Sequence, residues 1–170
     1  DSTENQFLIL LPKGIFVMSL LIKKAKLRDR ERLVDILISD GKFKKIEENL
    51  PGNADEIIEA EGNLVTPTFI DPHLHIDKAY TAREGRLGKE ETLEESIKLM
   101  HEIKANYTVP EVTERAVKAI NESVKFGATK IRGNVDIDTI GGLTAWKGCL
   151  KAKEETKEIA DVQLVAFAQE

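Results

Sequence analysis

The chain has 170 residues, 41% of them apolar and 32% charged, with a formal net charge of −5. That balance is too hydrophobic for a disordered chain and too charged for a membrane protein, and it offers no electrostatic footprint for nucleic acid or anionic lipid. The single cysteine, Cys149, excludes an internal disulfide and a CxxC metal site; it reads as a small packed residue and fits a reducing cytoplasm.

Residues 1–17 read as a non-native or disordered leader. The run Phe7-Leu8-Ile9-Leu10-Leu11 follows acidic residues, is closed by Pro12-Lys13-Gly14, and is too short for a secretory signal or a membrane span. Met18 opens the first convincing strand pattern and is taken as the start of the domain.

Residues 18–66 read as a small antiparallel β layer. Strand patterns occupy 20–27 and 33–39, and Asp40-Gly41 leads into a third at 42–46, a two-residue hairpin signal because type I′ turns need positive φ. Pro51-Gly52-Asn53 and Glu61-Gly62-Asn63 mark turns around a short strand at 57–60, and Leu64-Val65 begins another. The lysines at 23, 24, 26, 42, 44 and 45 read as solvated strand faces.

From Pro67 onward the rhythm is strand, helix and parallel strand. Thr68-Phe69-Ile70-Asp71 is a short buried strand candidate. Thr92 with Glu95 predicts a capped helix with Leu93, Ile97, Met100 and Ile103 or Lys104 on one face, on whose surface His101 is expected. Thr108 with Glu111 predicts a second, with Val112, Ala116, Ile120 and Val124 inward and Gly127 as its stop. A strand at 130–136, a helix at about 143–158 and a strand at 162–167 complete an open sheet whose last strand leaves an edge. A natural domain rarely ends on a core strand, so truncation is expected.

The chemistry lies in Asp71-Pro72-His73-Leu74-His75-Ile76-Asp77-Lys78. Residues two apart on a strand face the same way, so His73 and His75 project together and can share one metal ion, zinc and iron being well suited to imidazole. Such a metal would polarise a carbonyl or amidine and activate water. Two histidines on a strand face also fit plain polar surface. Asp77, Asp136 and Asp138 can orient a ligand from behind, and a cap or turn role fits them equally well.

The hairpin, the turn at 59–62 and Pro67-Thr68-Phe69-Ile70-Asp71-Pro72-His73-Leu74-His75-Ile76-Asp77 together resemble the opening of the amidohydrolase superfamily. Ile131-Arg132, Val135-Asp136 and the tail 162–170 resemble the second and third barrel strands of its cytosine deaminase-like branch. The resemblance implies the N-terminal part of a distorted (β/α)8 barrel, 67–170, preceded at 18–66 by part of a composite β-sandwich. It implies a hydrolase of C–N bonds other than peptide bonds, deaminating a cyclic amidine such as cytosine or a related ring.

By the same resemblance His73 and His75 are ligands of a divalent metal, Zn or Fe. Gln169 binds the substrate ring, its amide offering both donor and acceptor; as a residue alone it is a polar group at a strand end. The acid–base glutamate and the remaining ligands are expected beyond Glu170, so the isolated chain is expected to be inactive. Asn134 stands where the cytosine enzyme has histidine, and Lys78 where it has a small residue; related enzymes with His-x-Asp-Lys act on triazine-like and other cyclic amidines. The implied protein is cytoplasmic, binds a small cyclic substrate but neither nucleic acid nor membrane, and can form a homo-oligomer at full length. Two other readings fit: a hydantoinase, dihydroorotase or isoaspartyl-type branch, and a non-catalytic remnant or interaction module from a split or decayed gene.

Overall fold

The computed structural model describes residues 19–81 and 92–169; the expected leader, Met18 and Glu170 lie outside them. The chain divides into two compact units between Thr68 and Phe69.

The first unit is one four-stranded sheet in the order β3-β2-β1-β4, formed by β1 (Ser19–Ala25), β2 (Val34–Ser39), β3 (Lys42–Glu47) and β4 (Glu56–Glu59). The Asp40-Gly41 turn joins β2 to β3 with φ of 54° and 69°, the two left-handed residues a type I′ hairpin requires. The layer is not wholly antiparallel: β4 lies parallel to β1, because the connection through β2 and β3 returns the chain to the opposite edge before β4 begins. Leu64 makes an isolated bridge to Lys26 instead of starting a strand.

Leu20, Ala25, Val34, Ile36, Ile38 and Ala60 form the core of this unit. A bulge in β1 puts Lys24 at φ 54°. Buried Asp35 pins it: Asp35 Oδ1 accepts from the Lys24 N–H at 2.9 Å, and Oδ2 accepts from the Leu50 N–H at 2.9 Å. The lysines at 42, 44 and 45 are exposed, as expected for a solvated face.

The second unit is a parallel sheet, β5-β6-β7, of β5 (Phe69–Leu74), β6 (Ala128–Ile137) and β7 (Asp161–Ala168). Three helices accompany it, α1 (Leu93–Ala105), α2 (Val109–Lys125) and α3 (Thr144–Glu155). Thr92 and Glu95 form the reciprocal capping box of α1, and the Thr108 side chain accepts from the Glu111 N–H at the start of α2. Val112, Ala116, Ile120 and Val124 are all buried, so the helical period was legible; they pack with Ile131, Val135, Cys149 and Val162.

Two expectations are corrected here. β5 is largely exposed, with Phe69 61% and Ile70 66% accessible; it is a sheet edge, and Leu74 at its end packs in part against the core of the unit. His101 is half-buried, since the apolar stripe of α1 runs through Met100 and Ile103 on either side of it, leaving Leu93 and Ile97 exposed.

Candidate metal centre

In a parallel sheet the strand ends on one side collect the loops that follow, and function concentrates there. β5 ends at Leu74, so His73 lies in the ladder and His75 just beyond it. Alternation survives that boundary: the two rings stand edge to face with centroids 5.1 Å apart. Ile76, fully buried, closes against the sheet at Gly133, where an added Cβ would lie 2.9 Å from Ile76 Cδ1. The missing side chain at Gly133 therefore sets how near the segment 75–77 approaches β6.

Two buried carboxylates back His75. Asp136 Oδ1 lies 3.6 Å and Asp77 Oδ1 4.0 Å from its Nδ1. Both acids use their other oxygen for the frame. Asp77 Oδ2 accepts from the Asp136 N–H at 3.1 Å, while Asp136 Oδ2 takes the ammonium groups of Lys104 at 2.7 Å and Lys78 at 2.8 Å. His75 Nδ1, Asp77 Oδ1 and Asp136 Oδ1 are all buried without a hydrogen-bond partner, so three unsatisfied polar atoms face one another.

The charges follow from this packing. Burial, aided by the Lys78 charge, holds the His75 imidazole below its ordinary range against the two carboxylates. Burial likewise pushes Asp77 up, opposed first by the bond from the Asp136 N–H. Burial acts the same way on Asp136, but the hydrogen bonds from Lys104 and Lys78 outweigh it and hold that acid low. A neutral imidazole beside an ionised Asp136 is the state a metal ligand needs.

The other residues picked out in the sequence fall into place around this centre. Asp136 pairs in register with Phe167, and Arg132 with Gln163, whose Oε1 accepts from Arg132 Nε at 2.8 Å. Phe167 stands 5.7 Å from the His75 ring, edge to face. The Gln169 N–H donates to the Ile137 carbonyl at 3.0 Å, which continues the ladder, so alternation puts Gln169 on the face of Phe167. Asn134 is buried on that same face with its Nδ2 unpaired. Lys78 is not a free substrate-facing cation; Asp136 holds it. Asp138 takes the turn role: its Oδ1 accepts from the N–H groups of Ile140 and Gly141, and its Oδ2 accepts from Lys104.

Sequence reasoning missed the supporting cations. Spacing places Lys104 only on a helix face, yet its side chain is 7% exposed. Arg115 is buried, its Nε donating to the Asp77 carbonyl at 2.8 Å and its guanidinium lying 4.3 Å over the Tyr107 ring. A lysine or arginine at an inward helical position was the available signal. Among the described residues no group of three or more metal-binding side chains converges. The two histidines with their carboxylate backing therefore fit a metal ion as part of a ligand set, short of the three protein ligands a catalytic centre normally uses.

No family model matches the chain. It is similar to the N-isopropylammelide isopropyl amidohydrolase of Pseudomonas sp. strain ADP, 34% identical over 158 residues, which cover 88% of this chain and 38% of that protein. An Escherichia coli allantoinase is 30% identical over 143 residues, 83% of this chain and 29% of that one. The structure of Klebsiella pneumoniae 5-methylcytosine deaminase liganded with 5-fluorocytosine superposes with a TM-score of 0.76 at 33% identity, covering 86% of this chain and 36% of that one. The chain thus spans about a third of the length of the proteins it matches. Because identity of this extent runs along most of its residues, to hydrolases and a deaminase alike, these likenesses indicate the amidohydrolase superfamily.

Proposed function

We propose that the chain is the opening segment of a metal-dependent hydrolase of non-peptide C–N bonds, one that deaminates a cyclic amidine such as cytosine or a related ring. The observation carrying this reading is the pairing of His73 and His75 at the strand ends, backed by Asp136 and Asp77, on the sheet face that Gln169 continues. Likeness to a deaminase liganded with 5-fluorocytosine supports the choice of ring.

In this reading β5, β6 and β7 are the first three strands of a (β/α)8 barrel, and the sheet of β1 to β4 is part of a sandwich. His73 and His75 hold a divalent metal, Zn or Fe; when bound it supplies a Lewis acid and lowers the pKa of water. Asp136 and Asp77 orient the His75 ring, while burial and the Lys78 charge keep it neutral. Gln169 presents a donor and an acceptor to the ring edge, and Phe167 packs edge to face on the His75 ring. The working protein is cytoplasmic and can self-associate. Among the described residues the two histidines with their carboxylates are short of the ligand set a catalytic centre normally uses, and in this reading the remaining ligands come from elsewhere in the protein.

The test is ammonia release from cytosine and related rings by the complete open reading frame, loaded with Zn or Fe. Turnover that His73→Ala and His75→Ala each abolish supports the reading. Near-normal turnover in either variant removes the ligand assignment, and an inactive complete protein leaves a non-catalytic module. The allantoinase likeness favours one competitor, ring opening of a cyclic amide of the hydantoinase or dihydroorotase kind. Carboxylate formation without ammonia would select it.

A further inference from the structure

We propose that Lys104 is a positioning residue for His75: from the last turn of α1 it holds the Asp136 carboxylate so that Oδ1 faces His75 Nδ1, leaving Nε2 to ligate. The proposal rests on the ligand reading of His75 given above.

The side chain of Lys104 is 7% exposed, and removing an ammonium group from water is costly unless its partners are fixed. They are fixed here. Its Nζ lies 2.7 Å from Asp136 Oδ2 and 2.8 Å from Asp138 Oδ2. Asp138 is itself anchored, since its Oδ1 accepts from the Gly141 N–H at 2.6 Å and the Ile140 N–H at 3.0 Å. A chain of contacts therefore runs from the 138–141 turn through Asp138, Lys104 and Asp136 to the imidazole.

How the cations distribute is the telling feature. If they only neutralised Asp136, two ammonium groups would spread over its two oxygens. Instead Lys104 and Lys78 converge on Oδ2 and leave Oδ1, buried and unpaired, 3.6 Å from an equally unpaired Nδ1. Asp77 repeats the arrangement, with Oδ2 on the Asp136 N–H and Oδ1 left over beside the same nitrogen. Two acceptors turned to one ring nitrogen demand a proton there, which selects the Nδ1–H tautomer and frees the Nε2 lone pair. Lys78 is 29% exposed, so Lys104, on a helix and nearly dry, is the firmer holder.

The tautomer is readable without metal. Histidine-labelled protein, held above the imidazole titration range, should show His75 with a proton on Nδ1 and a bare Nε2. That is the reverse of free histidine in water. The signals that vanish in His75→Ala assign the ring. Lys104→Met should return His75 to the Nε2–H form and lower Co2+ affinity about 10–100-fold, while Lys104→Arg keeps both near wild type. Should Lys104→Met fail to fold, Lys104→Gln carries the comparison. An unchanged tautomer in the neutral variant, or an Nε2–H ring in the wild type, overturns the proposal. The ligand reading fails separately, if His75→Ala binds Co2+ as tightly as wild type.

Discussion

Each unit of the chain buries carboxylates, and they are used in opposite ways. Asp35 in the first unit gives both oxygens to backbone N–H groups, of Lys24 and Leu50. Asp77 and Asp136 in the second give one oxygen each to the frame and leave the other unpaired beside His75. A saturated buried acid holds a bulge and a loop in place. An acid left half-satisfied in a dry site carries a desolvation cost that packing alone does not require. The difference separates architecture from a site.

The largest expected effect strikes the centre of that contrast. His75→Ala in the complete protein should remove metal-dependent turnover altogether, measured as ammonia release, while Asp35→Asn leaves turnover of the folded enzyme unchanged. Next comes Asp136→Ala. It removes the carboxylate that holds Lys78 and one of the two that hold the nearly buried Lys104, which keeps Asp138, and should cost about 1.5–3 kcal/mol in urea unfolding. Asp35→Asn replaces an acceptor by a donor facing a backbone N–H and should cost about 1–3 kcal/mol without touching Co2+ affinity. If Asp35→Asn weakened metal binding as much as Asp77→Asn, the contrast would collapse.

Acid unfolding sharpens the comparison within the second unit. Asp136 is held low, so its contribution is present above the ordinary carboxylate range and is lost as pH falls through its folded value. Asp77 is pushed up, so its contribution is present below that range and is lost as pH rises through its folded value. Urea midpoints from mildly acidic to acidic pH should therefore lose their fall in Asp136→Asn and lose an opposing rise in Asp77→Asn.

The smallest expected effect is at Cys149. Burial raises its thiol to about 12. Stability should decline only as pH climbs above the usual thiol range toward that value, and alkylation at pH near 8 should wait for denaturant.

Much of this protein was legible along the chain because the interactions that set it are local. The Asp-Gly hairpin, the Thr92 and Thr108 caps, the inward stripe of α2 and the projection of His73 with His75 each depend on residues a few positions apart. Such contacts fix few dihedrals per bond and carry their signal in composition and spacing. The exposure of β5 is illegible for the opposite reason, since whether an apolar strand is covered depends on its neighbours in the fold. So too for β4, whose own residues say nothing of which strand it joins or in what direction.

The site divides along the same line. The histidine pair and the candidacy of Asp77 and Asp136 stood in the sequence, while Gln169 entered only through the family resemblance. Which carboxylate oxygen is bonded, which is left bare, and that Lys104 and Lys78 meet on one atom were decided only by folding. The Lys78–Asp136 contact spans 58 residues and the Lys104–Asp138 contact 34, so no local pattern records either. Their convergence follows from parallel strands bringing their ends to one side while α1 lays its last turn beside them.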